Sequence, residues 1–308
     1  MSATTLTQRL SPSAVTRERM LFLVLCFVWG TTWLAMKIGI AAVPPGLFAG
    51  TRWTVAGLTL LLWRWARGQR LQIPMRLTGR LLAVAILMVS LNQVIQLYGL
   101  RFITAGLAAV LSCALTPLAL LGFAVGMRQE RFTLRQLGAL AVGVVGILVL
   151  FGPGAFSGRL TTFELLGAAG VIVGTLCYSA GSVMARPLMT TLAPAQLAAM
   201  TNLIGGVLLL IASIAFEPGA VVALITPWGW HAALAWLYLL VPGALMSTVI
   251  YFLLVRDWGA SRTGTYAFVS PVIAVALGTT LFGERLDMSD VVGMVLMLIA
   301  AAIVLRRD

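Results

Sequence analysis

Charge is what this chain is short of. Only 10% of its 308 residues are Asp, Glu, Lys or Arg, 60% are hydrophobic, and the mean hydropathy is +1.02. A soluble domain carries roughly 25% charged residues, so a water-facing surface cannot be built from so few. The same apolar excess excludes intrinsic disorder. Histidine is nearly missing: His231 is the single one, which leaves no basis for a His-ligated metal centre. The three cysteines, Cys26, Cys113 and Cys177, each sit in an apolar run without a CxxC partner. They support neither a disulfide framework nor a zinc site and read as packing positions. HExxH and GxSxG motifs are missing too, as is any embedded carboxylate pair, so an intramembrane enzyme finds no support and no cofactor is expected.

What is present is a series of long apolar runs, which make this an integral membrane protein. About 20 apolar residues are needed to cross the hydrocarbon core as a helix. The runs predict ten spans, over 20–38, 47–65, 81–99, 105–126, 134–151, 163–184, 195–216, 231–254, 263–282 and 289–305. Breaks such as Pro44-Pro45-Gly46, Gly152-Pro153-Gly154 and Glu217-Pro218-Gly219 separate them. The first run follows Arg17 and Arg19 and could be taken for a signal peptide, but it continues to Met36 without a cleavage site and is read as a helix.

The net charge of +12 would suggest nucleic acid if it formed one patch. Instead it alternates with the loops. With a cytoplasmic N-terminus, sixteen arginines fall on the cytoplasmic side, Arg17, Arg67, Arg76, Arg131 and Arg135 among them. Only Arg101, Arg159 and Arg285 fall opposite, and Lys37 and Arg52 lie near or inside spans. That asymmetry follows the positive-inside rule, places both termini in the cytoplasm and requires an even number of spans. The positive charge is thus topological, and no nucleic-acid partner is expected.

Two patterns recur in the chain. Pro117 precedes Glu130-Arg131 by thirteen residues, and Pro271 precedes Glu284-Arg285 by the same interval. Helix starts follow, Thr133-x-x-Gln136 resembling a capping box and Asp287 offering an N-cap acceptor, then Gly138 and Gly293. Trp29 matches Tyr178, Lys37 matches Arg186, Pro45 matches Pro194 and Gly57 matches Gly206 at a common offset of 149 residues. These imply a duplication, with repeats over 20–151 and 163–305. Five spans per copy is an odd number, so the second copy enters the membrane from the opposite face. The fold class expected is an all-α integral membrane protein of ten helices in a 5+5 inverted repeat, an architecture typical of secondary transporters.

Trp29-Gly30, Lys37, the stretch from Pro45 to Arg52, the Pro-to-Glu spacing and Leu281-Phe282-Gly283-Glu284-Arg285-Leu286 together resemble the EamA family of the drug/metabolite transporter superfamily. The resemblance covers nearly the whole chain. It implies ten helices, cytoplasmic termini, and a central cavity lined by the first four helices of each repeat. Within the family the likeness is to YddG-type amino-acid exporters. The first copy departs from the motif, reading Gln129-Glu130-Arg131 in place of Gly-Glu-Arg.

Ionisable groups in spans are functional candidates by default. No Asp or Glu lies in the middle of a span, so flux without a buried acid relay is expected. Lys37 and Arg52 either snorkel to the outer interface or present a cation to a substrate carboxylate. Asn92 and Gln96, four apart, share a helix face with Gln93 beside them, and either bond neighbouring helices or read a polar ligand. Trp29 and Trp33, also four apart, offer an apolar wall, while Trp63, Trp65, Trp228, Trp230 and Trp258 lie at span ends as an aromatic belt does. Tyr178, Ser179 and Ser182 add hydroxyls, and Tyr251 holds the repeat position related to the amides. The substrate-binding set is therefore Trp29, Trp33, Lys37, Asn92, Gln96, Tyr178, Ser182 and Tyr251. Pro117 and Pro271, near span centres, are candidate hinges, whereas Gly138, Gly143 and Gly146 read as packing positions. The function expected is export of small metabolites, aromatic or hydrophobic amino acids favoured, by alternating access across the cytoplasmic membrane. A nucleotide-sugar or sugar-phosphate carrier and a channel-like pore are the alternatives. Substrate and lipid bilayer are the expected partners, and no oligomeric state follows from the sequence.

Overall fold

In lipid, every backbone N–H and C=O must find its partner inside the protein, and a helix does this within one segment. The computed structural model, which describes residues 12–69, 71–155, 161–282 and 287–305, is accordingly helical throughout, with no strand among the described residues. In chain order the elements are α1 (Pro12–Ala42), α2 (Pro45–Ala66), α3 (Met75–Phe102), α4 (Ala105–Gly126), α5 (Leu134–Ala155) and α6 (Thr162–Ala185, extended by a 3-10 turn Arg186–Thr190). They continue as α7 (Pro194–Phe216), the short α8 (Ala220–Ile225), α9 (Trp230–Trp258), the single turn α10 (Ala260–Thr263), α11 (Tyr266–Phe282) and α12 (Met288–Leu305). Seven of these, α1, α3, α4, α6, α7, α9 and α12, contain a stretch long and apolar enough to cross a membrane. α2, which carries Arg52 and Arg64, is outside that set, as are α5 and the 17-residue α11.

The boundaries follow from local chemistry. Pro45 and Pro194 sit in the first turn of α2 and α7, where a missing N–H costs nothing. Thr104 caps α4 by accepting from the Leu107 amide at 3.1 Å, and Thr161 with Glu164 forms a full capping box on α6. At α5, Thr133 Oγ1 accepts from the Gln136 amide at 3.2 Å as expected, but the Gln136 side chain meets the Thr133 hydroxyl and not its backbone N–H. At α12 the expected direction is reversed: Asp290 Oδ2 accepts from the Asp287 amide at 2.9 Å. Helix α1 begins before the predicted start at 20, so Glu18 lies within it, buried, accepting from Trp258 Nε1 at 2.7 Å. The motif residues 283–286 lie outside the described residues.

Helix α2 packs most extensively on α7, and α5 on α12; α3 lies along α6 and α9 along α1, while α4 packs on α6 and α11 on α1. Missing side chains make the α2–α7 approach possible. A Cβ on Gly57 would come within 2.3 Å of Leu203 N, and one on Gly206 within 2.4 Å of Thr54 N. The same holds for α5 on α12, where Gly146 and Gly293 each face the other's carbonyl oxygen at under 3 Å. Gly143 makes room for the Phe268 ring, but Gly138 faces open space and is not a packing position. Helices α3 and α9 share one irregularity, a π-helical stretch at Ile86–Leu91 and at Leu239–Met246. Such π-turns are frequent where a helix borders a functional site.

Candidate functional site

The helices enclose a cavity of about 150 Å³. Its wall is built in matching registers from both halves of the chain. Ser112, Cys113 and Thr116 of α4 line it, and so do Tyr266, Ala267 and Ser270 of α11, each 154 residues further on. Arg52 and Trp53 of α2 line it, and so do Thr201 and Asn202 of α7, each 149 residues further on. Trp29 of α1 and Tyr178 of α6 complete the pattern at the same 149. Thr116 and Ser270 are the residues immediately before Pro117 and Pro271, so each intrahelical proline sits directly behind a wall hydroxyl.

One end of the wall is polar. Arg52 is 3% exposed, and its Nη2 donates to Gln93 Oε1 at 2.7 Å. Gln93 Nε2 donates to Asn92 Oδ1 at 2.9 Å, and Asn92 Nδ2 donates to the Gly174 carbonyl at 2.9 Å. This amide chain ties α2 through α3 to α6. One turn on, Gln96 Nε2 donates to Thr175 Oγ1 at 3.2 Å, and Thr175 in turn bonds the Val171 carbonyl at 2.8 Å. Asn92 and Gln96 thus bond a neighbouring helix and also line the cavity. Arg52 also lies over two rings, its guanidinium carbon 5.1 Å from the Trp53 centroid and 6.0 Å from that of Phe48. Among the described residues no carboxylate pairs with it, and no Asp or Glu lines the cavity. A buried cation without a counter-charge is costly in a low-dielectric interior, by several kcal/mol in order of magnitude.

The other end is aromatic. The Trp29 ring lies 4.6 Å from Tyr266, 5.2 Å from Tyr251 and 6.1 Å from Tyr178, centroid to centroid. Offset and edge-on pairs of this kind gain beyond their area burial. Trp33 lines the cavity one turn beyond Trp29.

Six of the eight residues singled out in the sequence thus meet here: Trp29, Trp33, Asn92, Gln96, Tyr178 and Tyr251. Ser182 stands behind the wall, its Oγ 2.5 Å from the Tyr251 hydroxyl, and holds that ring in place. Lys37 does not reach the cavity wall. Its Nζ donates to the Leu100 carbonyl at 2.5 Å and the Ile103 carbonyl at 2.8 Å, closing the C-terminal end of α3. Those carbonyls have no intrahelical partner, and a cation there is favourable. Trp53, Thr201, Asn202, Tyr266 and Ser270 were not anticipated. Projecting Arg52 and its neighbour through the 149-residue offset would have found the α7 pair, and Asn202 is itself an amide within an apolar helix. No group of three His, Cys, Asp or Glu side chains that could hold a metal occurs among the described residues.

This arrangement can be set beside known proteins. The model of the EamA-like transporter family matches residues 17–152 and again 165–306. The chain is 33% identical over 267 residues to the uncharacterized inner membrane transporter YedA of Escherichia coli (strain K12), covering 85% of this chain and 82% of that protein. It is 25% identical to the uncharacterized transporter YoaV of Bacillus subtilis (strain 168), over 87% of this chain and 90% of that one. It is also 25% identical to the protein PagO of Salmonella typhimurium, over 87% and 86%. A solved crystal structure shares the fold at a TM-score of 0.76 and 19% identity, covering 94% of this chain and 96% of its own. The chain belongs to the EamA-like transporter family.

Proposed function

We propose that this transporter exports small organic metabolites carrying a carboxylate, amino acids with aromatic or hydrophobic side chains above all, across the cytoplasmic (inner) membrane by alternating access. The observation that carries this reading is Arg52, a buried cation without an acidic partner among the described residues, on the wall of a cavity that also carries aromatic rings. A substrate carboxylate supplies the missing counter-charge, and a charge-assisted bond of this kind contributes about 1.5–3 kcal/mol. An apolar side chain finds the Trp29, Tyr251 and Tyr266 rings.

The architecture that fits this reading is ten helices in two inverted repeats, over 20–151 and 163–305, with both termini cytoplasmic. The two family matches, the reciprocal Gly57 and Gly206 contacts and the repeated cavity register support it. Pro117 and Pro271, each behind a wall hydroxyl, are placed to act as hinges when one half rocks against the other. With no acid on the wall, flux proceeds without a carboxylate proton relay there. Sugar phosphates and nucleotide sugars carry several negative charges, and a wall with Arg52 as its one cation among the described residues suits them poorly.

The test is uptake of aromatic, aliphatic and charged amino acids into proteoliposomes. Saturable uptake of the aromatic and aliphatic ones, with counterflow by unlabelled substrate, is expected. Unsaturable flux would identify a pore, and transport of sugar phosphates in preference to amino acids would transfer the assignment to that class.

A further inference from the structure

Five buried polar atoms of cavity-lining residues have no hydrogen-bond partner among the described residues: Arg52 Nε, Trp53 Nε1, Asn202 Oδ1, the Tyr178 hydroxyl and Ser270 Oγ. Native proteins leave few such atoms unpaired because each forfeits its hydration without a replacement bond, so a cluster of them on residues lining one cavity asks for a ligand. Their chemistry is not interchangeable. The guanidinium and indole nitrogens only donate, and the amide oxygen only accepts. Both donors stand on α2, and the acceptor stands on α7. The two hydroxyls of the set, Tyr178 and Ser270, can donate or accept and therefore do not set the polarity.

The two sides are repeat-related. Trp53 and Asn202 occupy the same register 149 residues apart, on the two helices that meet backbone to backbone through Gly57 and Gly206. The duplication has kept the position and split the chemistry, with a cation and donors on one side and a neutral acceptor on the other. Each side is also held by a neighbouring group. Gln93 fixes the Arg52 guanidinium, and the Ala244 carbonyl, in the π-helical stretch of α9, accepts from Asn202 Nδ2 at 3.4 Å, leaving the amide oxygen unpaired.

We infer that the cavity reads both ends of a zwitterion, with Arg52 Nε and Trp53 Nε1 taking the carboxylate and Asn202 Oδ1 taking the α-ammonium. This rests on the amino-acid reading above and deepens it, because it assigns an ammonium subsite to α7 and a carboxylate subsite to α2. A carboxylic acid without the amine leaves the Asn202 oxygen unpaired, and an amino-acid amide leaves Arg52 without a counter-charge. Sites that bond a substrate polar group reject analogues lacking it far more strongly than apolar pockets reject a missing methylene.

The experiment is competition against labelled phenylalanine uptake in proteoliposomes, with phenylalanine, phenylalaninamide and 3-phenylpropionate as competitors. In the wild type both analogues are expected to compete at least about tenfold more weakly than phenylalanine, since one lost hydrogen bond of about 1.4 kcal/mol is a factor of ten. Asn202→Leu is expected to weaken phenylalanine about tenfold while leaving 3-phenylpropionate within about twofold. Arg52→Gln is expected to weaken phenylalanine and 3-phenylpropionate together and to leave phenylalaninamide within about twofold. Should Asn202→Leu fail to reach the membrane, the nearly isosteric Asn202→Asp takes its place and is expected to widen the preference for phenylalanine over 3-phenylpropionate. Equal competition by 3-phenylpropionate and phenylalanine in the wild type would overturn the inference, as would an Asn202 variant that shifts both alike. Saturable phenylalanine uptake with unaltered variants overturns the subsites alone. No amino-acid uptake at all overturns the function reading, and the subsites with it.

Discussion

At the end of α3, the Lys37 ammonium is gripped by two backbone carbonyls, those of Leu100 and Ile103. On the wall of the cavity, Arg52 has a single amide partner in Gln93 and an Nε that bonds nothing. Both are cations near or inside apolar helices, and in the sequence they look alike. What separates them is the neighbourhood. Lys37 completes a helix end that would otherwise carry orphan carbonyls, so its charge is used up in holding the fold. Arg52 is surrounded by rings and amides, and among the described residues no carboxylate pairs with it; under the function proposed above, a substrate carboxylate does so.

Substitutions break or sharpen that contrast. The largest effect on transport is expected from Arg52→Gln, which removes the charge and keeps a partner for Gln93. Transport efficiency should fall about 10- to 100-fold, corresponding to the loss of one charge-assisted bond, with normal membrane insertion. Trp33→Ala and Gln96→Ala act on the same cavity through packing and one neutral hydrogen bond, and each should lower transport about tenfold, again without losing insertion. Ser182→Ala frees the Tyr251 hydroxyl and lets the ring move, for an expected loss of about two- to fivefold, read as a rise in KM. Lys37→Met sits at the bottom of the scale. Uptake per folded molecule should stay within about twofold, while the melting temperature falls because the Leu100 and Ile103 carbonyls lose their donor, at about 1–3 kcal/mol. If Lys37→Met abolished uptake and Arg52→Gln did not, the roles of the two cations would be exchanged.

The helical segments were legible because apolar length is nearly the whole requirement for a membrane helix: helix lies in each predicted run, although the run 263–282 is broken by a turn before Tyr266 and only seven helices are long and apolar enough to cross a membrane. Their ends were less so. The apolar run begins at 20, yet α1 starts at Pro12, and Glu18 within that extension accepts from Trp258 of a helix far away in sequence. The capping box at Thr133 was visible in part, and the reversal at Asp287 was not, since both acidic residues can accept from the other's amide and only the backbone path decides. In the cavity, the 3.6-residue periodicity put Trp29 with Trp33 and Asn92 with Gln96 on common faces, and all four line it. Periodicity identifies a face but not what the face meets, which is why Lys37 looked like a cavity residue and Asn202 went unnoticed. The reciprocal glycines illustrate the same limit: Gly57 and Gly206 were matched by spacing, but only packing reveals that each receives the other helix's backbone.

The central claim is that Arg52 is kept short of partners in the empty protein so that substrate can complete it. Thermal unfolding of purified wild-type and Arg52→Gln protein, each with and without saturating phenylalanine, tests this directly. The account predicts that phenylalanine stabilises the wild type. It also predicts that Arg52→Gln is the more stable of the two when empty, by about 2–4 °C for each kcal/mol of relieved burial cost, and gains nothing from phenylalanine. An Arg52→Gln protein that melts lower than the empty wild type and is stabilised by phenylalanine just as much would contradict it.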